Sequence, residues 1–409
     1  MTPLSNPTID LESRYCAHNY HPLPVVLVRG EGPWVWDDQG RRFLDMMSAY
    51  SAVSHGHAHP RIVRALVDQA RQLNIVSRAF HSDRLAAFLQ QACRMTGQDM
   101  ALPMNTGAEA VETAMKAARK WAYTVKGVPA DQAGIIGCEG NFHGRTIAIC
   151  GLSSESQYRE GFGPFPPGLS TVPYGDADAL EAAITPNTAA FLVEPIQGEG
   201  GIVIPPDGYL ARCAEICREH DVLLIADEIQ TGLGRTGRLL ACDHEDVRPD
   251  GLILGKALGG GVLPVSMFLA RREVMEVFRP GDHGSTFGGN PLGAAVGLEA
   301  LKIIEDEDLA GQSAEKGAWL REALARIHSP LVKEVRGRGL FVGVEIDPAR
   351  ARARDVVERL MERGILSKET HETVVRLAPP LGIPMELLRW AVGELADVLA
   401  GMAEPATTS

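Results

Sequence analysis

Four short apolar runs, set among longer amphipathic segments, constrain the fold of this 409-residue chain more than any other feature. Each run has the length of a strand that is covered on both faces, and the runs lie at 133–137, 189–193, 222–226 and 251–254. Helical patterns occupy 109–123 and 209–220, where apolar residues recur every three or four positions. Strands that alternate with helices predict an α/β fold with a mostly parallel sheet in a large domain.

The two ends of the chain have a different pattern. The C-terminal hundred residues predict helices at 309–327, 353–363 and 385–400, with strands at 332–335 and 340–346 between the first two. This mixture is typical of a smaller α+β domain. The first fifty or so residues are strand-like, with a Gly-Pro turn near Gly32, and are predicted to join that smaller domain.

These patterns divide the chain into three parts. We predict an N-terminal segment at 1–57, a large ligand-binding domain at 58–308 and a small C-terminal domain at 309–409. The tail at 404–409 is predicted to be disordered.

Composition excludes several functional classes. The chain is 45% hydrophobic and 22% charged, as in ordinary globular proteins, and its formal net charge of -12 disfavours nucleic acid or an anionic membrane as a partner. No apolar run approaches the ~20 residues that span a bilayer, and the N-terminus lacks the basic and apolar stretches of a signal peptide. Seven scattered cysteines without a C-x-x-C pair are typical of reduced thiols. We therefore expect a soluble, cytoplasmic protein.

Three polar segments follow predicted strands, at the edge where open α/β sheets bind ligands. In the first, Asn105 or Thr106 can cap the helix that follows. The small residues Gly107 and Ala108 would then let a phosphate approach the free N–H groups of the first turn. Taken alone, the segment is explained better by a structural capping box between Thr106 and Glu109 than by a phosphate site.

The second segment places Asp227 directly after an apolar strand. Burying a carboxylate there costs desolvation free energy unless a cation pairs with it. It could hold a proton on a heterocyclic nitrogen, or bind magnesium as a Walker-B acid does. The magnesium interpretation lacks its G-x-x-x-x-G-K-[ST] partner, because Lys256 is followed by Ala257.

The third segment contains Lys256, between an apolar strand and a run of glycines. The chain has only eight lysines against 32 arginines. A lysine among apolar residues and glycines is therefore not expected to be an ordinary charge on the solvent-exposed surface. Desolvation lowers the pKa of an ammonium group and makes the amine nucleophilic, as Schiff-base chemistry requires. The structural alternative is a lysine at the end of a strand whose amine reaches solvent.

Together the three segments supply a phosphate cradle, an acid for a ring nitrogen and a lysine for an aldehyde. Phosphate, ring nitrogen and aldehyde are the three groups by which proteins bind pyridoxal 5′-phosphate. A dinucleotide site fits worse, because no G-x-G-x-x-G follows a first strand. The cluster of His55, His57 and His59 is interpreted as structural and not as a metal site, and Cys213 and Cys217 as core residues.

At these motifs the chain resembles the class III (fold type I) pyridoxal-phosphate aminotransferases, and within them the branch that acts on ornithine. The resemblance runs from about Tyr15 to the 385–400 helix, and its most specific segments are 18–24, 105–127, 140–146, 193–199, 226–232, 284–291, 368–371 and 375–380. It implies a large domain with a mostly parallel seven-stranded sheet and a smaller α+β domain.

The resemblance also implies how pyridoxal 5′-phosphate would be held. Lys256 would form the Schiff base with its aldehyde, Asp227 would pair with the ring nitrogen and Gln230 with the ring hydroxyl. The remaining cofactor residues would be Gly107 and Ala108, whose N–H groups bind the phosphate, Thr286 from the other subunit of a homodimer, and Phe142, which stacks on the ring.

For the substrates, the resemblance implies L-ornithine as amino donor and 2-oxoglutarate as acceptor. Tyr20 and Arg145 would hold the α-carboxylate of ornithine, and Tyr50 would shape the pocket. Glu199 would pair with Arg376 during the ornithine half-reaction and release it for the keto acid.

Two departures from the family leave the substrate preference open. His143 stands where some relatives have an aromatic residue, and Gly200 where many have alanine. Acetylornithine, 4-aminobutyrate or lysine are therefore alternative donors. A pyridoxal-phosphate racemase or isomerase is the alternative from another reaction class, and a non-catalytic binding role is a third possibility.

Overall fold

The protein is described by a computed structural model that covers residues 6–403. The predicted disordered tail at 404–409 and the first five residues lie outside the described residues.

Within residues 6–57, the N-terminal part contains a helix, three strands and a single helical turn. Its elements are α1 (Pro7–Tyr15), β1 (Leu27–Glu31), β2 (Trp34–Asp37), β3 (Arg42–Asp45) and the single turn α2 (Ser48–Ser51). The prediction that this part is strand-like is correct for β1–β3 but wrong for α1. Asn6 caps this helix by accepting the N–H of Thr8 at 2.9 Å, and no residue of α1 is buried. The helix therefore depends on its Asn-Pro start, and apolar periodicity gave no signal for it.

The middle of the chain alternates strands with helices, as predicted. Its elements are α3 (Pro60–Ala70), α4 (Asp83–Thr96), β4 (Met100–Met104), α5 (Gly107–Trp121), β5 (Gly134–Cys138), α6 (Ile147–Gly151), α7 (Ser156–Arg159), β6 (Leu169–Val172), α8 (Ala177–Ala183), β7 (Thr188–Val193), α9 (Tyr209–Glu219), β8 (Leu223–Asp227), β9 (Gly251–Leu254), β10 (Ser266–Ala270), α10 (Arg272–Met275) and α11 (Pro291–Asp306). Short 3₁₀ helices at Ala241–Glu245 and Lys256–Gly259 flank β9.

Seven of these strands form one sheet in the order β4-β10-β9-β8-β7-β5-β6. Only β10 runs antiparallel to its neighbours, β4 and β9, and the other pairs are parallel. The predicted mostly parallel, seven-stranded α/β sheet is confirmed. Because β4, β8 and β9 run in the same direction, their carboxyl ends lie at the same edge, and the three polar segments follow those ends.

Both faces of the sheet are covered, which explains the uninterrupted apolar runs. Every residue of β7 is buried, and its consecutive residues Phe191 and Leu192 belong to two different core clusters. Since neighbouring side chains of a strand point to opposite faces, each face packs against its own layer of helices. This rigid sheet fixes the positions of the loops at its edge.

The C-terminal part is the predicted mixture of helices and strands. Its elements are α12 (Leu309–Ala325), β11 (Val332–Arg338), β12 (Phe341–Ile346), α13 (Ala353–Glu362), β13 (Ile365–Leu366), β14 (Lys368–Thr370), β15 (Val374–Leu377) and α14 (Met385–Ala403). One four-stranded sheet has the order β11-β12-β15-β14, and a second, β1-β2-β3-β13, joins the N-terminal strands to the C-terminal part through a parallel β3–β13 pair.

The three histidines near the end of α2 each contact a different partner. The pairs are His55 Nε2 with the Ala300 carbonyl oxygen at 3.0 Å, His57 Nε2 with Asp45 Oδ2 at 2.7 Å, and His59 Nε2 with Glu307 Oε1 at 3.2 Å. Within 6–403, no group of three or more His, Cys, Asp or Glu side chains is arranged to hold a metal ion. Nor does any helix in that range combine the length and the apolar character that crossing a membrane requires.

Candidate active site

A cavity of about 210 Å³ lies at the carboxyl edge of the large sheet. Six of the seven residues predicted to hold the cofactor line it together: Gly107, Ala108, Phe142, Asp227, Gln230 and Lys256. Glu199, predicted for the substrate, lines it as well. Chain segments separated by up to about 150 residues therefore meet at one site, as expected for loops that follow parallel strands.

One end of the cavity is formed by the start of α5. Thr106 Oγ1 accepts the N–H of Glu109 at 3.3 Å, while Glu109 Oε2 accepts the N–H groups of Thr106 at 2.8 Å and Asn105 at 2.9 Å. The structural alternative of the sequence analysis, a capping box, is thus present. It still leaves the first-turn N–H groups of Gly107 and Ala108 without intrahelical partners, and both residues line the cavity. The capping box is therefore compatible with a phosphate bound at this helix start.

The first position of α5 packs closely against the residues that follow β8. A Cβ atom added to Gly107 would lie 2.9 Å from Cδ1 of Ile229, so the end of the Ile229 side chain would have to move. Glycine therefore lets the helix start approach the Asp227 loop without this displacement.

Lys256 enters the cavity from the turn after β9, with a φ of 45°. Protein surrounds its amine, and this burial lowers the pKa of Lys256 to about 8, although the negative charge of Glu199 acts in the opposite direction. A lysine with this pKa holds a larger fraction of free amine near neutral pH than a surface lysine does. It is suited to attack an aldehyde.

The side chain that pairs with Asp227 is His143. Its Nδ1 lies 2.7 Å from Oδ2 of Asp227, and both side chains are buried. Burial opposes the charged imidazole, but the hydrogen bond and charge of Asp227 outweigh it and raise the pKa of His143. Asp227 Oδ1 accepts the N–H of Ile229 at 3.1 Å. Sequence reasoning noted His143 only as a departure, because 84 residues separate it from its partner.

Glu194 is a cavity residue that sequence reasoning missed. It follows β7 directly, as Asp227 ends β8, so the same search for acids after apolar strands would have found it. Its carboxylate accepts the N–H of Phe142 at 2.9 Å and of Gly198 at 3.3 Å, and burial raises the pKa of Glu194 to about 7. Through the Phe142 contact it fixes the backbone of the predicted stacking residue.

The predicted pair of Arg376 and Glu199 is present, and Glu199 lines the cavity. Arg376 Nη1 donates to Glu199 Oε1 at 2.7 Å, and the guanidinium is only 1% exposed. Burial raises the pKa of Glu199, but the positive charges of Arg376 and Lys256 outweigh it and the net pKa is lowered. Glu199 is therefore ionised at neutral pH.

Gln230 bridges this ion pair. Its Nε2 donates to Glu199 Oε1 at 3.3 Å, and its Oε1 accepts from Arg376 Nη2 at 3.1 Å. Thr370 adds a fourth contact by donating its hydroxyl to the Glu199 carbonyl oxygen at 2.7 Å. Gln230, which is predicted to contact the ring hydroxyl of the coenzyme, is thus also hydrogen-bonded to both members of the Arg376–Glu199 pair.

The remaining predicted residues lie farther from the cavity. The ring of Tyr50 faces Arg376, whose Cζ is 5.1 Å from the ring centroid, and Lys256 Nζ is 6.0 Å from it. Tyr20, Arg145 and Thr286 are exposed and are not among the residues that line the cavity. A second cavity of about 600 Å³ shares Glu199 with the first and opens beyond Tyr158.

The donor set fits pyridoxal 5′-phosphate. First-turn N–H groups suit its phosphate, a hydrogen-bonded buried carboxylate suits its ring nitrogen, and a lysine with a lowered pKa suits its aldehyde. The three protein groups thus match the phosphate, the ring nitrogen and the aldehyde of this one molecule.

Comparison with known proteins gives the same result. The profile of the family described as Aminotransferase class-III matches residues 15–399. The chain is similar to the ornithine aminotransferase of Bacillus subtilis, with 58% identity over 98% of this chain and 99% of that protein. It is also similar to that of Geobacillus sp., with 57% identity over 96% and 98%.

Solved structures resemble this one closely. The ornithine aminotransferase of Toxoplasma gondii superposes with a TM-score of 0.95 at 48% identity, covering 96% of this chain and 94% of that one. An acetylornithine aminotransferase from Elizabethkingia anophelis superposes with a TM-score of 0.88 at 46% identity, covering 96% and 98%.

Proposed function

Since the chain belongs to the class-III aminotransferase family, we propose that it transfers the δ-amino group of L-ornithine to 2-oxoglutarate, with pyridoxal 5′-phosphate as coenzyme. The products would be glutamate and glutamate 5-semialdehyde, which cyclises to pyrroline-5-carboxylate. The observation that carries the proposal is the Arg376–Glu199 ion pair beside Lys256, together with the high identity to ornithine aminotransferases.

Three residues of this chain would handle the coenzyme chemistry. When bound, pyridoxal 5′-phosphate supplies an electron sink next to the reacting carbon. Lys256 would hold the coenzyme through its aldehyde, and the same amine, with its lowered pKa, would accept and return a proton at the substrate carbon. Asp227, held by His143, would place a carboxylate beside the ring nitrogen.

The ion pair explains how one pocket would accept two different substrates. A free Arg376 would attract the carboxylate of ornithine and bring the wrong amine to Lys256. While Glu199 neutralises Arg376, the donor gains nothing from placing its carboxylate there, and the δ-amine enters first. The α-carboxylate of 2-oxoglutarate then competes with Glu199 for Arg376. Arg145 and Tyr20 would hold the α-carboxylate of ornithine at the far end.

We further infer that the enzyme works as a homodimer in the cytoplasm, without a nucleic-acid or membrane partner. Thr286 is exposed in the single chain, as expected of a residue that would bind the phosphate of the partner subunit. The net charge of -12 supports the absence of a nucleic-acid partner.

A panel of amino donors tests the proposed function. With 2-oxoglutarate as acceptor, we expect kcat/KM for L-ornithine to exceed that for N-acetylornithine, 4-aminobutyrate and L-lysine by at least about tenfold, the value of ~1.4 kcal/mol of differential binding. A preference for N-acetylornithine would make the chain an acetylornithine aminotransferase, an activity named for one of its structural neighbours. Conversion of one amino acid without any keto-acid acceptor would instead indicate a racemase or isomerase.

A further inference from the structure

Arg145 presents a guanidinium group without a carboxylate partner. It is exposed, and no ion pair involves it in the part of the chain that the structure describes. Arg376, in contrast, is buried and paired with Glu199. The contacts that position Arg145 are aromatic: its Cζ lies 3.7 Å from the centroid of the Tyr158 ring and 5.4 Å from that of the Phe142 ring.

Tyr158 connects Arg145 to both cavities. It belongs to the single turn α7, and its ring meets that of Phe142 edge-on, with centroids 6.1 Å apart and planes at 80°. Phe142 lines the first cavity, while Tyr158 lines the second together with Glu199. The tyrosine therefore packs against both the predicted coenzyme-stacking residue and the predicted carboxylate-binding residue.

A guanidinium that stacks on an aromatic ring keeps its N–H donors free. Stacking uses the face of the group, whereas the donors lie in its plane and can still bind both oxygens of a carboxylate. The ring also restricts a long, flexible side chain before any ligand arrives, so less conformational entropy is lost on binding.

We propose that Tyr158 is a positioning residue that holds Arg145 in the orientation that receives the α-carboxylate of the amino donor. This inference rests on the proposed function, in which the donor is bound by its far carboxylate. Tyr158 acts only through Arg145, so its contribution is specific to donors that carry this carboxylate.

Donors with and without the carboxylate separate this role from a general structural one. The first half-reaction is measured with L-ornithine and with 1,4-diaminobutane, which has the same reacting amine but no carboxylate. In Tyr158→Ala, we expect kcat/KM for ornithine to fall about five- to tenfold, mainly through KM, because a cation–π contact of this kind is lost. The value for diaminobutane should stay within about twofold.

Two further variants and a binding measurement complete the test. Tyr158→Phe keeps the ring and should retain the wild-type ratio between the two donors, whereas Tyr158→Leu keeps bulk without a π face and should behave as Tyr158→Ala does. The dissociation constant of glutarate, measured by calorimetry, should rise in parallel with KM for ornithine. Trp36→Ala is a matched control, because Trp36 carries Arg29 at 4.5 Å but lines neither cavity.

The outcomes distinguish this inference from the proposed function. Equal losses with both donors, a loss in Tyr158→Phe as large as in Tyr158→Ala, or an unchanged ratio in Tyr158→Ala and Tyr158→Leu would overturn the role of Tyr158 alone. A wild-type enzyme that transfers no amine from ornithine would overturn the proposed function and the inference with it.

Discussion

At the scale of single residues, the chemistry depends on charged groups that the fold keeps from bulk water. Lys256, Asp227 and Glu199 all line one cavity, and they differ in the group that lies beside their charge. Asp227 has a hydrogen-bonded imidazole and Glu199 a guanidinium, whereas no salt-bridge partner within 6–403 lies against the amine of Lys256. Its reactivity follows from that asymmetry, because a desolvated ammonium without a close anion loses its proton more readily.

The pH dependence of coenzyme capture tests the environment of Lys256. In coenzyme-free protein, the rate of covalent capture of pyridoxal 5′-phosphate should rise with pH with a midpoint near 8, because only the free amine attacks and the pKa of Lys256 is about 8 instead of 10.5. Stopped-flow absorbance between about pH 6 and 11 measures this midpoint. Lys256→Ala should show no such phase, and a midpoint near 10.5 would contradict the environment described.

Removing the charge of Glu199 should affect the two half-reactions differently. In Glu199→Ala, Arg376 is left free, so kcat/KM for L-ornithine should fall at least about tenfold while that for 2-oxoglutarate is unchanged or higher. Glu199→Gln, which can keep hydrogen bonds but not the charge, should give an intermediate result. Separate measurement of each half-reaction decides the matter, and equal losses in both would argue against a gate.

At the scale of secondary-structure elements, the start of α5 combines stability with ligand binding. Glu109→Ala removes the acceptor for the N–H groups of Asn105 and Thr106. We expect the free energy of unfolding to fall by about 1 kcal/mol and the dissociation constant of pyridoxal 5′-phosphate to rise, because the N–H groups of Gly107 and Ala108 are less well fixed. Chemical denaturation and coenzyme titration measure the two effects.

A surface glutamate provides the control for this helix. Glu215→Ala in α9 breaks only an exposed pair with Arg212 and should change the free energy of unfolding by less than about 0.5 kcal/mol. Equal effects of the two substitutions would show that the capping box has no special role.

The elements that sequence predicted well are those defined by burial. The strands at β7, β8 and β9 were located almost to the residue, because sheets covered on both faces leave continuous apolar runs. Helix α1 was missed because none of its residues is buried, so only its Asn-Pro start could reveal it. The pairing of His143 with Asp227 was also out of reach, since it depends on how two distant loops meet.

The site was partly accessible to sequence for a related reason. Lys256, Asp227 and the α5 start could be found by asking which polar residues follow apolar strands, and that rule also covers Glu194. The substrate residues follow no such rule. Arg376 lies in β15, in the four-stranded sheet β11-β12-β15-β14, and Glu199 is in a loop. They were predicted through the resemblance to a family and not from physical pattern.

At the scale of the whole molecule, the site is expected to be complete only in a dimer. Thr286 is exposed, and its neighbour Ser285 is tied to the same chain, where its Oγ accepts Asn105 Nδ2 at 2.8 Å. If Thr286 reaches the phosphate of the partner subunit, two different inactive variants should complement each other.

Mixed dimers test this arrangement. Lys256→Ala and Thr286→Ala subunits, dissociated and reassociated together at equal amounts, should regain about a quarter of the activity of the wild type, because about half of the dimers are mixed and each has one intact site. The separate variants, treated in the same way, are the controls. Activity no higher than their average would mean that Thr286 acts within its own subunit or not at all.

The central claim is that Lys256 is the residue that binds the coenzyme aldehyde. Borohydride reduction of the holoenzyme, followed by proteolysis and mass spectrometry, tests it directly. We expect one reduced pyridoxyl phosphate group per chain, on the peptide that contains Lys256, and none in Lys256→Ala. Stoichiometric label on any other of the eight lysines, or no label in a fully active enzyme, would contradict the account.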